Sequence, residues 1–383
     1  MPASASPLRV LHLTSERGWR GGEQQLLYLA SALRERGVDQ VLAVRRGTAA
    51  HERFRAEGFA VAPLAIANEL DVGAVLALAA LFRRVRPHVA HAHASKAHGL
   101  IAMAARLCGR QRPALVATRR VDYSIFRHKS PGLDRLKYDP GVDHVIAVSD
   151  RIRYVLLADG LRPERVSVAH SGVDLARIDG APRIEADLRA SLGLPPDARV
   201  IGTIGALVGH KDHATLIGGF ARLAAQHPDT HLVIVGEGTR RPQLEAQIAT
   251  ARLGDRVHLV GWRSDAPSWL RVFHVFAFTS REEGLGTSVI DAMAARLPVV
   301  ATRAGGIPEL LDDGVEGRLV PPADPPALAA ALAAILADPA AARAHGAAGR
   351  RRVEARLTAD RTADATLGAY EQVLRGRSGG PDS

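Results

Sequence analysis

Two carboxylates, Glu283 and Asp291, stand eight positions apart, and Gly284, Leu285, Gly286 and Thr287 follow the first. The glycines let the backbone approach a ligand closely and leave amide groups uncovered. A helix expected from about Ser288 to Ala295 points its N-terminal amides back at this loop, a ready site for an anion. Carboxylates accept hydrogen bonds from hydroxyls, whereas phosphate oxygens need donors. Amides for phosphate beside carboxylates for hydroxyls describe a site for a nucleotide sugar. Ser288 and Asp291 also fit a helix capping box with Asp in place of Glu, a structural use that can coexist with binding.

Further reactive residues are spaced along the chain. Gly21 and Gly22 follow a buried strand at 8–13 and precede an apolar helix at about 24–36, an order that places a negative group on a helix N-terminus. His91 and His93 end another strand on one face, a pair that could begin a metal site. No third ligand follows at a recognisable spacing and the chain has no Asp-x-Asp pair, so no metal is expected. His98 lies just beyond, and Arg120 follows the strand at 114–118. Lys211, one of only four lysines, sits in the loop that starts at Gly205. Its scarcity argues for a role over an ordinary solvated lysine. Gly236 closes a strand at 232–235, and Trp262 with Arg263 follows one at 257–260.

These residues need elements to hold them. Strands at 8–13, 40–44, 60–64, 88–92, 114–118, 145–149 and 166–169 alternate with helices at 24–36, 51–57, 72–86 and 97–108 and one ending near 159. That pattern is α/β with a mostly parallel sheet. It restarts at Arg199, so two Rossmann-like parallel-sheet domains are expected. The first covers 1–175, a proline-containing linker 176–197, and the second 198–358. A last helix over 359–376 crosses back onto the first domain.

Composition narrows the class. A chain of 383 residues suits two domains that each bury a core. No apolar run reaches the roughly 18 residues of a membrane span. The start lacks the charged and apolar parts of a signal peptide, and the lone Cys108 fits a reducing compartment. A cytoplasmic protein is expected. Residues 1–175 hold 26 Lys+Arg against 16 Asp+Glu, and the remainder 24 of each, so the net charge of +10 lies in the first half. A basic half suits a phosphorylated or membrane-bound partner, or is a solvated face of an arginine-rich protein. Tyr123, Ile125 and Phe126 next to Arg127, His128 and Lys129 suit an anionic membrane surface, or an ordinary packed loop.

The stretch E-G-L-G-T-S-V-I-D-A-M-A from Glu283, followed by P-V-V-A-T and G-G-I-P-E, resembles the signature of the group-one (family-four) retaining glycosyltransferases of the GT-B fold. The resemblance runs from about Arg9 to Leu374, with Asp291 in place of the family's second glutamate. It implies two domains facing a cleft, a sugar contact for Glu283 and a ribose contact for Asp291. Lys211 matches the phosphate-binding lysine, while Ala206 stands where the family has an arginine. Gly21 and Gly22 match a loop under the diphosphate, Gly205 and Gly236 the glycine turns, and Trp262 and Arg263 the nucleobase contact. Gly284, Leu285, Gly286 and Thr287 would cradle the donor. His93, His98 and Arg120 would lie near the reacting centre and the acceptor; relatives often have a histidine where Arg120 stands.

The function so implied is transfer of a hexosyl unit, with retention and without metal or cofactor. The sugar passes from a nucleoside-diphosphate sugar, UDP expected, to a saccharide or glycolipid in lipopolysaccharide or exopolysaccharide assembly. The acceptor side would touch the inner membrane face. Three other readings compete. A nucleotide-sugar epimerase or hydrolase would consume donor without an acceptor. A dehydrogenase would need a G-x-G-x-x-G fingerprint, which Gly202-x-x-Gly205-x-x-x-Gly209 is not. A nucleic-acid binder would use the basic half, but 4% aromatic residues and no binding module argue against it.

Overall fold

The computed structural model describes residues 7–68, 70–126, 138 and 141–378. The chain divides into two compact units, 1–171 with 359–383 and 172–358.

The first unit is a seven-stranded sheet. Its strands are β1 (Arg9–Thr14), β2 (Asp39–Arg45), β3 (Ala60–Leu64), β4 (Val89–Ala92), β5 (Ala114–Arg119), β6 (His144–Ala147) and β7 (Val166–Val168). They run in the order 3-2-1-4-5-6-7, all pairs parallel. Parallel strands need crossovers, supplied by helices α1 (Gly21–Glu35), α2 (Ala49–Ala56), α3 (Val72–Val85), α4 (Ser95–Arg106) and α5 (Asp150–Ala158). Side chains start several of them: Thr48, Asp71 and Ser149 each accept from a first-turn amide. Helices on both faces explain why β1 and β4 are buried nearly end to end.

The second unit is a six-stranded parallel sheet in the order 10-9-8-11-12-13. The strands are β8 (Arg199–Ile204), β9 (Thr230–Val235), β10 (Val257–Leu259), β11 (Val275–Phe278), β12 (Val299–Thr302) and β13 (Gly317–Val320). The expected linker, 176–197, carries α6 (Leu175–Asp179) and α7 (Glu185–Ser191) and belongs to this unit. Helices α8 (His213–Ala224), α9 (Arg241–Thr250), α10 (Ala266–Leu270), α11 (Thr287–Ala294), α12 (Pro325–Ala337) and α13 (Pro339–Arg356) complete it. Phe220, Leu216, Leu232 and Leu332 are fully buried in its core. Each such side chain contributes about 1.5–3 kcal/mol by leaving water.

The last helix, α14 (Ala359–Ser378), returns to the first unit. Ala363, Ala369, Tyr370 and Val373 pack with Leu29, Leu33 and Val116. Arg36 at the end of α1 bridges Asp360 and Asp364. Strand order reverses between β1 and β4 in one unit and between β8 and β11 in the other. The carboxyl ends of strands at such points are where open α/β sheets bind ligands.

No single described helix is long and apolar enough to cross a membrane. The pair α12 and α13 passes such a test only jointly, bent by 103°. Residues Arg127, His128 and Lys129 of the suggested membrane segment lie outside the described residues.

Candidate active site

In the second unit the chemistry gathers at the reversal between β8 and β11. Gly286 is the N-cap of α11, with φ 95°, and no side chain caps the helix. Ser288 therefore lies inside the first turn, and the capping-box reading of Ser288 and Asp291 fails. A left-handed glycine turns the chain so sharply that the helix starts with its amides bare toward the loop. Gly306 donates its amide to the Glu283 carbonyl at 3.0 Å, which ties the second glycine turn to the first.

Lys211 and Glu283, 72 positions apart, form an ion pair. Glu283 also accepts from Ser280 Oγ at 3.3 Å. The Lys211 ammonium sits 4.8 Å from the Phe278 ring centre. Its loop is held by Thr279, whose hydroxyl donates to the carbonyls of Lys211 and Asp212 at 3.2 and 3.0 Å. Asp212, at φ 48°, caps α8 and takes the Arg281 guanidinium at 2.6 Å. Gly205 closes β8 by donating to Val235 O at 2.9 Å. Gly236, at φ 153°, passes so close that an added Cβ would stand 1.9 Å from Gly205 O. Only glycine fits there.

Asp291 lies one turn into α11. Burial pushes its carboxyl up to about 6, with Arg177 pulling the other way. Trp262 is 62% exposed after β10. Arg263 is committed elsewhere: both its Nε and Nη2 donate to Asp265 at 3.0 Å, and it lies 5.4 Å from the Trp269 ring. So Lys211, Glu283 and the Gly284–Thr287 loop come together, while Arg263 turns to a local acid.

In the first unit, Gly21 and Gly22 are the first two residues of α1 rather than a loop before it. Glu23 is buried, accepting from Thr14 Oγ1 at 3.1 Å and from the Arg20 amide at 3.2 Å. Burial raises its pKa, which those bonds partly oppose. Gly22 lies against Arg120, whose Cδ would be 3.9 Å from an added Cβ, an ordinary contact. Arg120 donates to Ser171 Oγ at 3.4 Å. Burial lowers it to about 10, against the pull of Glu23, so it stays charged at neutral pH. Its charge in turn adds to the burial that holds His93 well below its ordinary range. His98 is buried on α4 and packs edge-on against Tyr138 at 4.7 Å.

The histidines form a network that the strand spacing did not disclose. His12 Nδ1 lies 2.9 Å from His93 Nε2, and His12 Nε2 lies 3.1 Å from Gln40 Oε1. His91 meets Tyr370 OH at 2.6 Å through Nδ1 and Thr118 Oγ1 at 2.7 Å through Nε2. His12 supplies the third imidazole that the sequence lacked beside His91 and His93. Five of the six ring nitrogens (two each on His12 and His91, one on His93) are used in these hydrogen bonds, so the cluster is built as a hydrogen-bond network. Glu23, His12, Gln40, Thr118 and Tyr370 escaped the sequence reading. The usable signal was polarity: His12 interrupts an otherwise apolar run in β1, and Gln40 opens the apolar run of β2.

Comparison with known proteins identifies the family of both units. Residues 19–177 match the model of Glycosyltransferase Family 4, and residues 198–338 that of Glycosyl transferases group 1. The lipopolysaccharide core biosynthesis glycosyltransferase LpsE of Rhizobium meliloti (strain 1021) is 29% identical over 304 residues, 78% of this chain and 81% of that one. The lipopolysaccharide core biosynthesis mannosyltransferase LpsB of the same strain is 30% identical over 180 residues, 46% of this chain and 49% of that one. Among solved structures, Anabaena HepE in complex with UDP and glucose superposes with a TM-score of 0.81 at 22% identity. That match covers 97% of this chain and 100% of HepE. A glycosyltransferase from Rickettsia africae gives a TM-score of 0.83 at 18% identity, covering 97% of this chain and 100% of that one. Two parallel-sheet units, each matched by its own family model, make this chain a member of the group-one (family-four) glycosyltransferases of the GT-B fold.

Proposed function

We propose that this glycosyltransferase moves a hexosyl unit, with retention and without metal or cofactor, from a UDP-sugar to a saccharide or glycolipid of lipopolysaccharide or exopolysaccharide assembly. The observation that carries the donor half is the Lys211–Glu283 pair beside the bare start of α11. A departing nucleoside diphosphate needs cations and amides for its oxygens, and the sugar needs a carboxylate for its hydroxyls. Lys211 and the Gly286 and Thr287 amides take the first task, Glu283 the second and Asp291 the ribose. Gly21 and Gly22, with Gly205 and Gly236, let backbone approach the diphosphate, and exposed Trp262 offers its ring to the base. Ala206 provides no charge, so the helix start carries more of the diphosphate here.

Arg120 and His93 serve the acceptor side, with the leaving phosphate itself taking the acceptor proton. The basic first unit suits a glycolipid at the inner membrane face. LpsE and LpsB, both named for lipopolysaccharide core biosynthesis, support that acceptor class, and the UDP bound to HepE supports the base.

A thermal-shift panel with UDP, GDP, ADP and NAD, each with and without EDTA, tests the donor. A ligand at about 100 times its Kd adds about 2.7 kcal/mol and raises Tm by several degrees. A shift with UDP alone, unchanged by EDTA, is expected. The anomeric configuration of the transferred sugar, read by NMR, then tests retention. A shift with NAD and none with a diphosphate would overturn the reading.

A further inference from the structure

A chain of hydrogen bonds runs from a backbone carbonyl in α1 to a histidine lone pair with no partner among the described residues. Gln40 Nε2 donates to Ala30 O at 2.9 Å, which turns Gln40 Oε1 toward His12 Nε2 at 3.1 Å. An amide oxygen only accepts, so His12 Nε2 carries the ring proton. Burial keeps His12 neutral, its pKa pushed down to about 4 against the bond from Gln40. His12 Nδ1 is then a lone pair, and it lies 2.9 Å from His93 Nε2. That bond forms only if His93 Nε2 holds its own proton. His93 is neutral too, held well down by burial and then by His91, His12 and Arg120. Its Nδ1 is therefore bare, and it is buried with no hydrogen-bond partner among the described residues.

The same corner of the first unit holds a donor in the same state. Among the described residues Arg120 Nε is buried and meets no acceptor, and Ser15 Oγ just past β1 is likewise without a partner. Each hydrogen bond left unmade in a buried place costs stability. A hydroxyl is the group that relieves both kinds of deficit, because it donates and accepts at once.

Resting on the transferase reading above, we propose that Gln40 and His12 are positioning residues. They lock His93 in its Nε2–H tautomer, so that Nδ1 accepts the hydrogen bond of a sugar hydroxyl in the transfer site. The same hydroxyl oxygen is then free to accept from Arg120 Nε–H. A ring with its tautomer fixed from behind is ready to accept without first moving a proton. If the chain were broken at Gln40, His12 Nε2 would lose its reason to hold the proton. Both rings could then flip tautomer together, and His93 would offer a donor where an acceptor is needed.

The test combines spectroscopy with kinetics. In 15N-histidine-labelled whole protein, long-range proton–nitrogen correlation reads the tautomer, with His93 assigned by the signals lost in His93→Asn. The expected wild-type pattern is Nε2–H, and Gln40→Leu should show Nδ1–H mixed in. With the donor identified by the nucleotide panel, Gln40→Leu should lower kcat by about tenfold. Its Kd for free nucleoside diphosphate should stay as in wild type. His93→Asn, whose amide oxygen replaces Nδ1 as an acceptor, should retain at least about ten times the kcat of His93→Leu. An Nδ1–H pattern in the wild type overturns the proposal, as does Gln40→Leu with full kcat. The nitrogen–nitrogen coupling across the His12–His93 bond marks the ring coupled through Nε2 as His93, so the wild-type spectrum decides even if every variant misfolds. Failure of wild-type protein to bind any nucleotide would sink the transferase reading instead, and the tautomer measurement would still stand.

Discussion

Replacing Glu283 by Gln should tighten nucleoside-diphosphate binding while it slows transfer. Lys211 and Glu283 are paired with side chains only 19% and 15% exposed, so the cation is neutralised before any donor arrives. A phosphate oxygen that docks on Lys211 also comes within about 6 Å of the carboxylate. At an effective dielectric of about 20 that repulsion is about 3 kcal/mol per unit charge. Solvent and salt screen part of it, so a gain of about 1.4 kcal/mol, or about tenfold in Kd, is expected once the charge is gone. Gln has nearly the same shape and still accepts from Ser280, which keeps the loop in place. The sugar, however, loses a charge-assisted hydrogen bond of about 1.5–3 kcal/mol, and kcat should fall by about a hundredfold. Titration calorimetry with UDP, GDP and ADP measures the first effect, and product formation the second. Lys211→Met is the counterpart and should abolish diphosphate binding. If Glu283→Gln weakened the diphosphate as Lys211→Met does, the two residues would serve structure, not opposite ends of a donor.

Two more perturbations test separate parts of the chain. The Asp291 carboxyl is raised by burial from an ordinary 3.8 to about 6. The folded chain thus keeps a proton that the unfolded chain gives up between about pH 4 and 6. Stability falls as pH rises through that window, and the penalty is complete above it. Its upper bound is about 3 kcal/mol. Urea unfolding should therefore show Asp291→Asn more stable than wild type by about 1–2 kcal/mol at pH 7.5 and equal at pH 4. A gain at both pH values would contradict the titration argument. Tyr370→Phe removes the 2.6 Å bond to His91 and leaves a buried ring nitrogen unmet. It should lower stability by about 1–3 kcal/mol in denaturant melts, and a neutral result would mean that the Tyr370–His91 bond adds nothing to the hold of α14 on the first unit.

Much of the fold was legible along the chain. Mostly apolar runs such as Val10–Leu13 and Leu232–Val235, each followed by glycine and then a helix, mark buried parallel strands. The glycine turn at Gly286 was also legible, because its left-handed backbone favours glycine. Local rules misled at Ser288, whose spacing to Asp291 imitates a capping box. A helix start is decided by backbone angles, and Gly286 had already turned the chain. Pro182, Pro195 and Pro196 suggested a linker with one short helix at about 184–191. That helix is α7, and with α6 it belongs to the second unit.

The order of residues by itself determined which atoms were on hand: bare amides after Gly286, carboxylates at 283 and 291, one lysine at 211 and histidines at 12, 91 and 93. Tertiary structure alone decided which of them meet. Lys211 reaches Glu283 because β8 and β11 are neighbours and Thr279 staples the two loops. His12 reaches His93 because β1 lies beside β4, and Gln40 joins them because β2 flanks β1 on the other side. Strand order is set by the packing of whole crossover units, not by any window of sequence. A polar side chain inside a buried strand announces that it needs a partner, but the partner is chosen by the sheet.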